Sequence, residues 1–190
     1  MNQGAKTKRL VVMAVFSSIA YLLMMLDFPI GLSAFLKMDF SELPVLIVAL
    51  IYGPGAGLIV EAIKNLLYYL IQGSATGVPV GQVANFVAGA AFVLPVSYMF
   101  RKYRTTKGLT FGVVTGTVLM AVLMAVLNYY VFLPAYTMFL HMPAYTTSGA
   151  RELIVKGILP FNLIKGVLTG VIFVLLFTRM KTWLTKQVAM

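Results

Sequence analysis

The 190-residue sequence has no cysteine, one histidine (His141) and only five acidic residues. Without cysteine there are no disulfides, thiol nucleophiles or cysteine-ligated metals, and a lone imidazole makes no metal site. A G-x-x-x-x-G-K-[ST] phosphate loop is also missing. The nearest glycine clusters, GPGAG and GSATG, lack its lysine and fall in short turns. There is no H-E-x-x-H, and no serine shares an apolar run with a histidine, so hydrolysis within the membrane has no support. Two matching halves with paired broken helices, the mark of many self-sufficient carriers, are not found either. The expectation is a protein that is not an enzyme, needs no cofactor and has no visible energy source of its own.

What the sequence does have is apolar surface. It is 61% hydrophobic with a mean hydropathy of +0.94, more than a soluble domain of this size can cover with polar groups. Apolar runs at 10–26, 43–52, 55–71, 81–100, 108–132 and 152–178 are separated by turn signals such as DFPIGLS, YGPGAG and RKYRTTKG. At roughly 20 residues per span, six helices use nearly the whole chain. The expected fold is therefore an all-α integral membrane protein with six transmembrane helices, a single domain over 1–190 and a multi-pass place in the cell membrane. The runs at 43–52 and 55–71 read as two tilted passages joined tightly. No small-residue cleavage pattern follows Leu26, so the first run reads as a retained helix.

A net charge of +10 does not point to nucleic acid, because the basic residues cluster at the ends of apolar runs. Lys6, Lys8 and Arg9, then Arg101, Lys102, Arg104 and Lys107, then Arg179, Lys181 and Lys186 fall on one face of a six-span chain. The positive-inside rule makes that face, with both termini, cytoplasmic.

With this orientation the polar residues inside the spans lean outward. Gln82 and Asn85 lie where the fourth span enters, Asn128 lies near the outer end of the fifth, and Asn162 and Lys165 lie deeper in the sixth. Three helical residues turn through roughly 300°, which leaves Asn162 and Lys165 about 60° apart on one face. A lysine at mid-membrane costs about 2.5 to 3.5 kcal/mol on insertion scales, so it must face protein, water or ligand. Pro160 has no N–H for the carbonyl of Lys156 and is expected to bend the helix where this patch begins. Polar residues of this kind can simply join helices. A common depth on three helices points instead to a cavity open to the outside, suited to a ligand rich in carbonyls, ring nitrogens and hydroxyls.

Three further groups carry expectations. Glu61, Lys64 and Asn65 share a face of the third span, where Glu61 and Lys64 read as a structural ion pair. In KMDFSELP, Ser41 reads as the cap of the second helix with Pro44 in its first turn, and Met38 and Phe40 are placed to cover a bound aromatic ligand. Ala14 and Ser18, with Ser17, make a narrow side on the first helix that would let a partner helix approach closely.

These segments also resemble a known family. MDFSELPVLI, YGPGAGLIVEAIKNLLYYL, GQVANFVAGAAFVLP, NYYVFLPAY and ILPFNLIKG together resemble the substrate-binding S components of energy-coupling factor transporters, and among them the riboflavin-specific ones. The resemblance covers nearly the whole chain. It implies six helices, riboflavin captured with high affinity from outside, and assembly with a transmembrane coupling protein and two cytoplasmic ATPases. It implies that Asn128, Asn162 and Lys165, with Asn85 beside them, meet the flavin, and that Ala14 and Ser18 face the coupling protein. The resemblance leads one to expect an acid where this chain has Gln82, which leaves Lys165 to pair with a ligand oxygen or an acid of the outer loop. The alternative reading is a stand-alone carrier or channel for a small polar solute.

Overall fold

The computed structural model describes residues 3–30 and 36–188, with side chains up to residue 180. Six helices carry it. Helix α1 is Gln3–Met25, α2 is Glu42–Tyr52, α3 is Pro54–Gln72 and α4 is Val80–Tyr103. Helix α5 runs over Thr106–Phe139 with a π-turn at Asn128–Phe132, and α6 starts at Thr147 and runs through a π-turn at Ile154–Ile158 into Leu159–Val188. Between α1 and α2 lies a two-stranded antiparallel hairpin, β1 (Phe28–Pro29) on β2 (Lys37–Met38), a small exception to the all-α expectation.

Four helices, α1, α4, α5 and α6, are long and apolar enough to cross a membrane. The expectation of six full spans is met only in part, because α2 has 11 residues and rises about 16 Å, roughly half the hydrocarbon thickness. Its composition has a different cause. Val45, Leu46, Val48, Ala49 and Leu50 are fully buried, with α1, α3, α4 and α6 packed around it. A helix apolar on all sides is one surrounded by protein or lipid, and α2 is surrounded by protein. Gly53, at φ +99°, ends it and Pro54 opens α3 in the next position, so the chain reverses within one residue.

The half of the bundle away from the hairpin has a close-packed interior. At Gly116 of α5, a methyl group would sit 2.7 Å from the carbonyl oxygen of Phe92 on α4. At Gly166 of α6, it would sit 2.6 Å from the Thr117 hydroxyl on α5. Only hydrogen at these positions lets the backbones come so close. Phe92, Phe100, Leu109, Met120, Phe173 and Phe177 fill the rest of that half. An apolar groove lined by Val114, Val118, Val167 and Val171 runs along α5 and α6 on this half, and both π-turns and the hairpin lie toward the other end.

The two π-turns have a common sequence cause. Each ends two residues before a proline, Pro134 in α5 and Pro160 in α6. Proline withholds a donor from the carbonyl four residues back and its ring crowds that carbonyl, so a widened turn before it relieves both. The bend expected at Pro160 takes this form, with Leu159 N–H bonded to the Ile154 carbonyl five residues back.

Candidate functional site

Between α4, α5, α6 and the hairpin lies a cavity with about 600 Å³ of space between atoms, its open mouth included. On α4 the wall is Gly81, Ala84, Asn85 and Ala88, small residues on one helix face that leave room in front of them. Met124, Asn128 and Tyr136 line it from α5, and Phe161, Asn162 and Lys165 from α6. The hairpin adds Leu36 and Lys37.

The π-turn of α5 decides whether Tyr136 belongs to this wall. Eight residues beyond Asn128 on a regular helix it would point about 80° away, and one residue absorbed by the wider turn brings it back to within about 20°. Its hydroxyl then reaches Gly81, where a methyl group would sit 2.9 Å from it.

Two of the asparagines tie their amide nitrogen to their own helix. Asn128 donates its amide N–H to the Met124 carbonyl at 2.7 Å, and Asn162 donates to the Ile158 carbonyl at 2.8 Å. Each bond returns to the same helix four residues back, fixes which end of the amide is nitrogen, and leaves the carbonyl oxygen as an acceptor. The Asn85 oxygen is buried without a hydrogen-bond partner among the described residues. A buried acceptor left in that state costs about 1 to 3 kcal/mol.

Of the partners left open for Lys165, a ligand oxygen or an acid of the outer loop, the structure shows acids. Its ammonium sits 3.0 Å from Asp39 Oδ2 and 3.1 Å from Glu42 Oε1. Glu42 Oε1 also lies 3.4 Å from Lys64, which lies 2.9 Å from Glu61 and donates to the Ser41 hydroxyl at 2.6 Å. The Glu61–Lys64 pair expected from sequence is therefore one part of a buried chain of five charged groups linking the loop to α2, α3 and α6. Asn65 donates to both the Glu61 backbone carbonyl and its carboxylate. Gly89 of α4 completes the fit, because any side chain there would run into the Glu61 carboxylate.

Asp39, in the loop, is almost fully buried. Burial alone would raise its carboxyl, but Lys165 and Lys64, with the Ser41 N–H at 2.9 Å, outweigh burial and hold it at about 2. The hairpin has a second tie: Lys37 grips both oxygens of Asp27 at 3.1 Å, and Tyr68 donates to Asp27 at 3.4 Å. An apolar seam of Leu36, Leu133, Ala150, Ile158 and Phe161 seats it against α5 and α6 near their π-turns.

Not every expected residue comes to the cavity. Gln82 faces the α3 side, donates to the Gly73 carbonyl at 3.0 Å and lines a separate groove with Asn65 and Tyr69. A position three residues before Asn85 sits about 60° round the helix, enough to change neighbours. Met38 is fully buried beneath the hairpin, and Phe40 packs against Phe28 with ring centres 6.2 Å apart. Leu36 and Lys37 cover the cavity in their place. Ser41 stands at the N-terminus of α2 but makes no side-chain cap, because its hydroxyl is taken by Lys64. On α1, Ala14 and Ser18 are exposed while Ser17 is buried and bonded to the Met13 carbonyl, so the narrow outer side consists of the first two only. Sequence reading missed Tyr136, Phe161 and the Gly81, Ala84, Ala88 stripe; the stripe was visible as small residues at helical spacing beside Asn85.

A protein-family model described as "ECF transporter, substrate-specific component" matches residues 8–177. The chain is 54% identical over 183 residues to "Riboflavin transporter FmnP" of Bacillus subtilis, covering 96% of both chains. It is 40% identical over 182 residues to "Riboflavin transporter RibU" of Staphylococcus aureus, covering 95% of this chain and 94% of that one. A solved structure described as "Structure and mechanism of the S component of a bacterial ECF transporter" superposes with a TM-score of 0.79 at 39% identity, covering 94% of this chain and 98% of the other.

A carboxyl held low stabilises the fold when ionised, so the Asp39 tie persists at neutral pH and is lost as pH falls from about 4 to about 2. Replacing Asp39 with Asn should lower stability at pH 7 by roughly 2 kcal/mol. Thermal unfolding of the two proteins across pH should show that difference shrinking in the acid window only.

Proposed function

The chain belongs to the substrate-specific components of ECF transporters, and on that footing we propose that it captures riboflavin at the outer face of the cell membrane. The observation that carries this reading is three asparagines, Asn85, Asn128 and Asn162, from three helices around one cavity with apolar walls, two of them with the amide nitrogen bonded back to their own helix. Riboflavin offers a ring imide N–H and four ribityl hydroxyls as donors, and a flat tricyclic ring for apolar contact. Acceptors from three helices suit the first, and Ala84, Ala88, Met124, Phe161 and Leu36 suit the second. Both curated relatives described above carry riboflavin in their names.

In this reading Asn128 and Asn162 accept from the ligand, Asn85 adds a further acceptor, and Lys165 holds the loop and α2 in register below it. The hairpin covers the mouth. Basic clusters at the two termini and after α4 put both termini in the cytoplasm and the cavity outside. The work of release comes from partners, a membrane coupling protein and two cytoplasmic ATPases, and the exposed Ala14 and Ser18 on α1 offer the coupling protein a close approach.

Replacing Asn128 or Asn162 with Ala removes an acceptor whose loss leaves a ligand donor unpaired. Riboflavin affinity, read by quenching of flavin fluorescence, should fall at least about tenfold in each, on the order of 1.4 kcal/mol. Unchanged affinity in both would remove the site. Reconstituted alone in vesicles, the chain should bind riboflavin without concentrating it inside; unaided accumulation would favour a self-sufficient carrier.

A further inference from the structure

The cavity has two cations in its lining, Lys37 and Lys165, and both are already matched. Lys37 is paired with Asp27, and Lys165 with Asp39 and Glu42. Behind Lys165 the ionic chain contains three carboxylates, Asp39, Glu42 and Glu61, against two ammonium groups, Lys64 and Lys165. All five are almost wholly buried, so water and salt screen them little. One oxygen of Glu42 and one of Glu61 have no hydrogen-bond partner among the described residues. By formal charge the chain therefore carries one negative charge more than it carries positive.

Glu61 is the member that makes the surplus. Without it, Lys165 is still held by Asp39 and Lys64 by Glu42, so the remaining four groups balance. It lies outside the cavity lining and reaches it only through Lys64, Glu42 and Lys165, each within 3.4 Å of the next. Asn65 and Gly89 hold its carboxylate there. Neither is needed to build the acceptor face at Asn85, Asn128 and Asn162, so this charge has a separate effect on whatever enters.

We propose that Glu61 sets the charge selectivity of the cavity, favouring a neutral ligand over its phosphate ester. The proposal rests on the riboflavin reading. A phosphate monoester carries about 1.5 to 2 negative charges near pH 7 and three strong acceptor oxygens. It meets a lining whose two cations are already engaged by carboxylates, with an ionic chain of net formal charge −1 behind Lys165. The neutral vitamin, with hydroxyl donors at the same end, meets none of this repulsion.

The test is a charge series with three ligands: riboflavin, riboflavin 5′-phosphate and a neutral 5′-acetyl ester that controls for size. Dissociation constants are read by fluorescence quenching for the unaltered chain, for Glu61→Gln and for Glu61→Gln combined with Glu42→Gln. The surplus charge then steps from −1 to 0 to +1. The phosphate-to-riboflavin ratio of dissociation constants should fall at least about fivefold per step, as expected when a unit charge near a doubly charged group is removed. The acetyl-to-riboflavin ratio should stay constant. A flat phosphate ratio across the series, or an acetyl ester rejected as strongly as the phosphate, would overturn the proposal. Riboflavin binding by the unaltered chain is the internal control: if it fails, the riboflavin reading fails first. If the double variant does not fold, Glu61→Gln alone decides the question.

Discussion

The buried ionic chain of Asp39, Lys165, Glu42, Lys64 and Glu61 is the constraint on which the rest of this structure depends. Lys64 is completely buried, and isolated charges in such surroundings are too costly to keep. Each of these groups therefore fixes the position of the next. The loop before α2 must lie against α6 because Asp39 answers Lys165 there, and α2 must start beside α3 because Glu42 and Ser41 answer Lys64. Removing a lysine would leave carboxylates buried and unpaired, a loss typically of about 3 to 5 kcal/mol. Such a network adds little as raw stability compared with an apolar core, and in this fold it specifies the arrangement around the cavity.

From that arrangement the division of the molecule follows. Close-packed glycines and phenylalanines seal the half away from the hairpin, and small residues on α4 open the half beneath it. The π-turns widen α5 and α6 at the level where room is needed, bringing Tyr136 back to the lining and placing Asn162 just past its turn. The result is a chamber with amide oxygens from three helices and a cover tied by charge at Asp39 and by apolar contact at Leu36. Nothing in this arrangement supplies work, which fits a subunit that binds and leaves energy to partners.

Much of this was readable from residues alone, because lipid restricts what a sequence can do. Apolar runs locate the long helices, and costly polar residues such as Asn128, Asn162 and Lys165 stand out in hydrocarbon. The Glu61–Lys64 pair follows from helical spacing. Other features depended on distant partners. Asp39 and Lys165 are 126 residues apart in sequence, so their contact has no local signature. The protein surroundings of α2 are likewise invisible in its own composition, which is why a short core helix looked like a passage through lipid. Gln82 shows the limit of depth as a criterion: it shares a level with Asn85 and faces a different helix. Pro160 announced a kink, yet only the folded chain shows that it takes the form of a widened turn and that Pro134 follows another.

The central claim is that one outward chamber, rich in acceptors and free of unmatched cations, takes up a single neutral flavin. Its most direct measurement is a titration of the purified protein in detergent with riboflavin, following the quenching of flavin fluorescence. The account predicts a saturable signal that levels off at one flavin per chain. Fluorescence that stays proportional to added riboflavin, with no saturation, would contradict it.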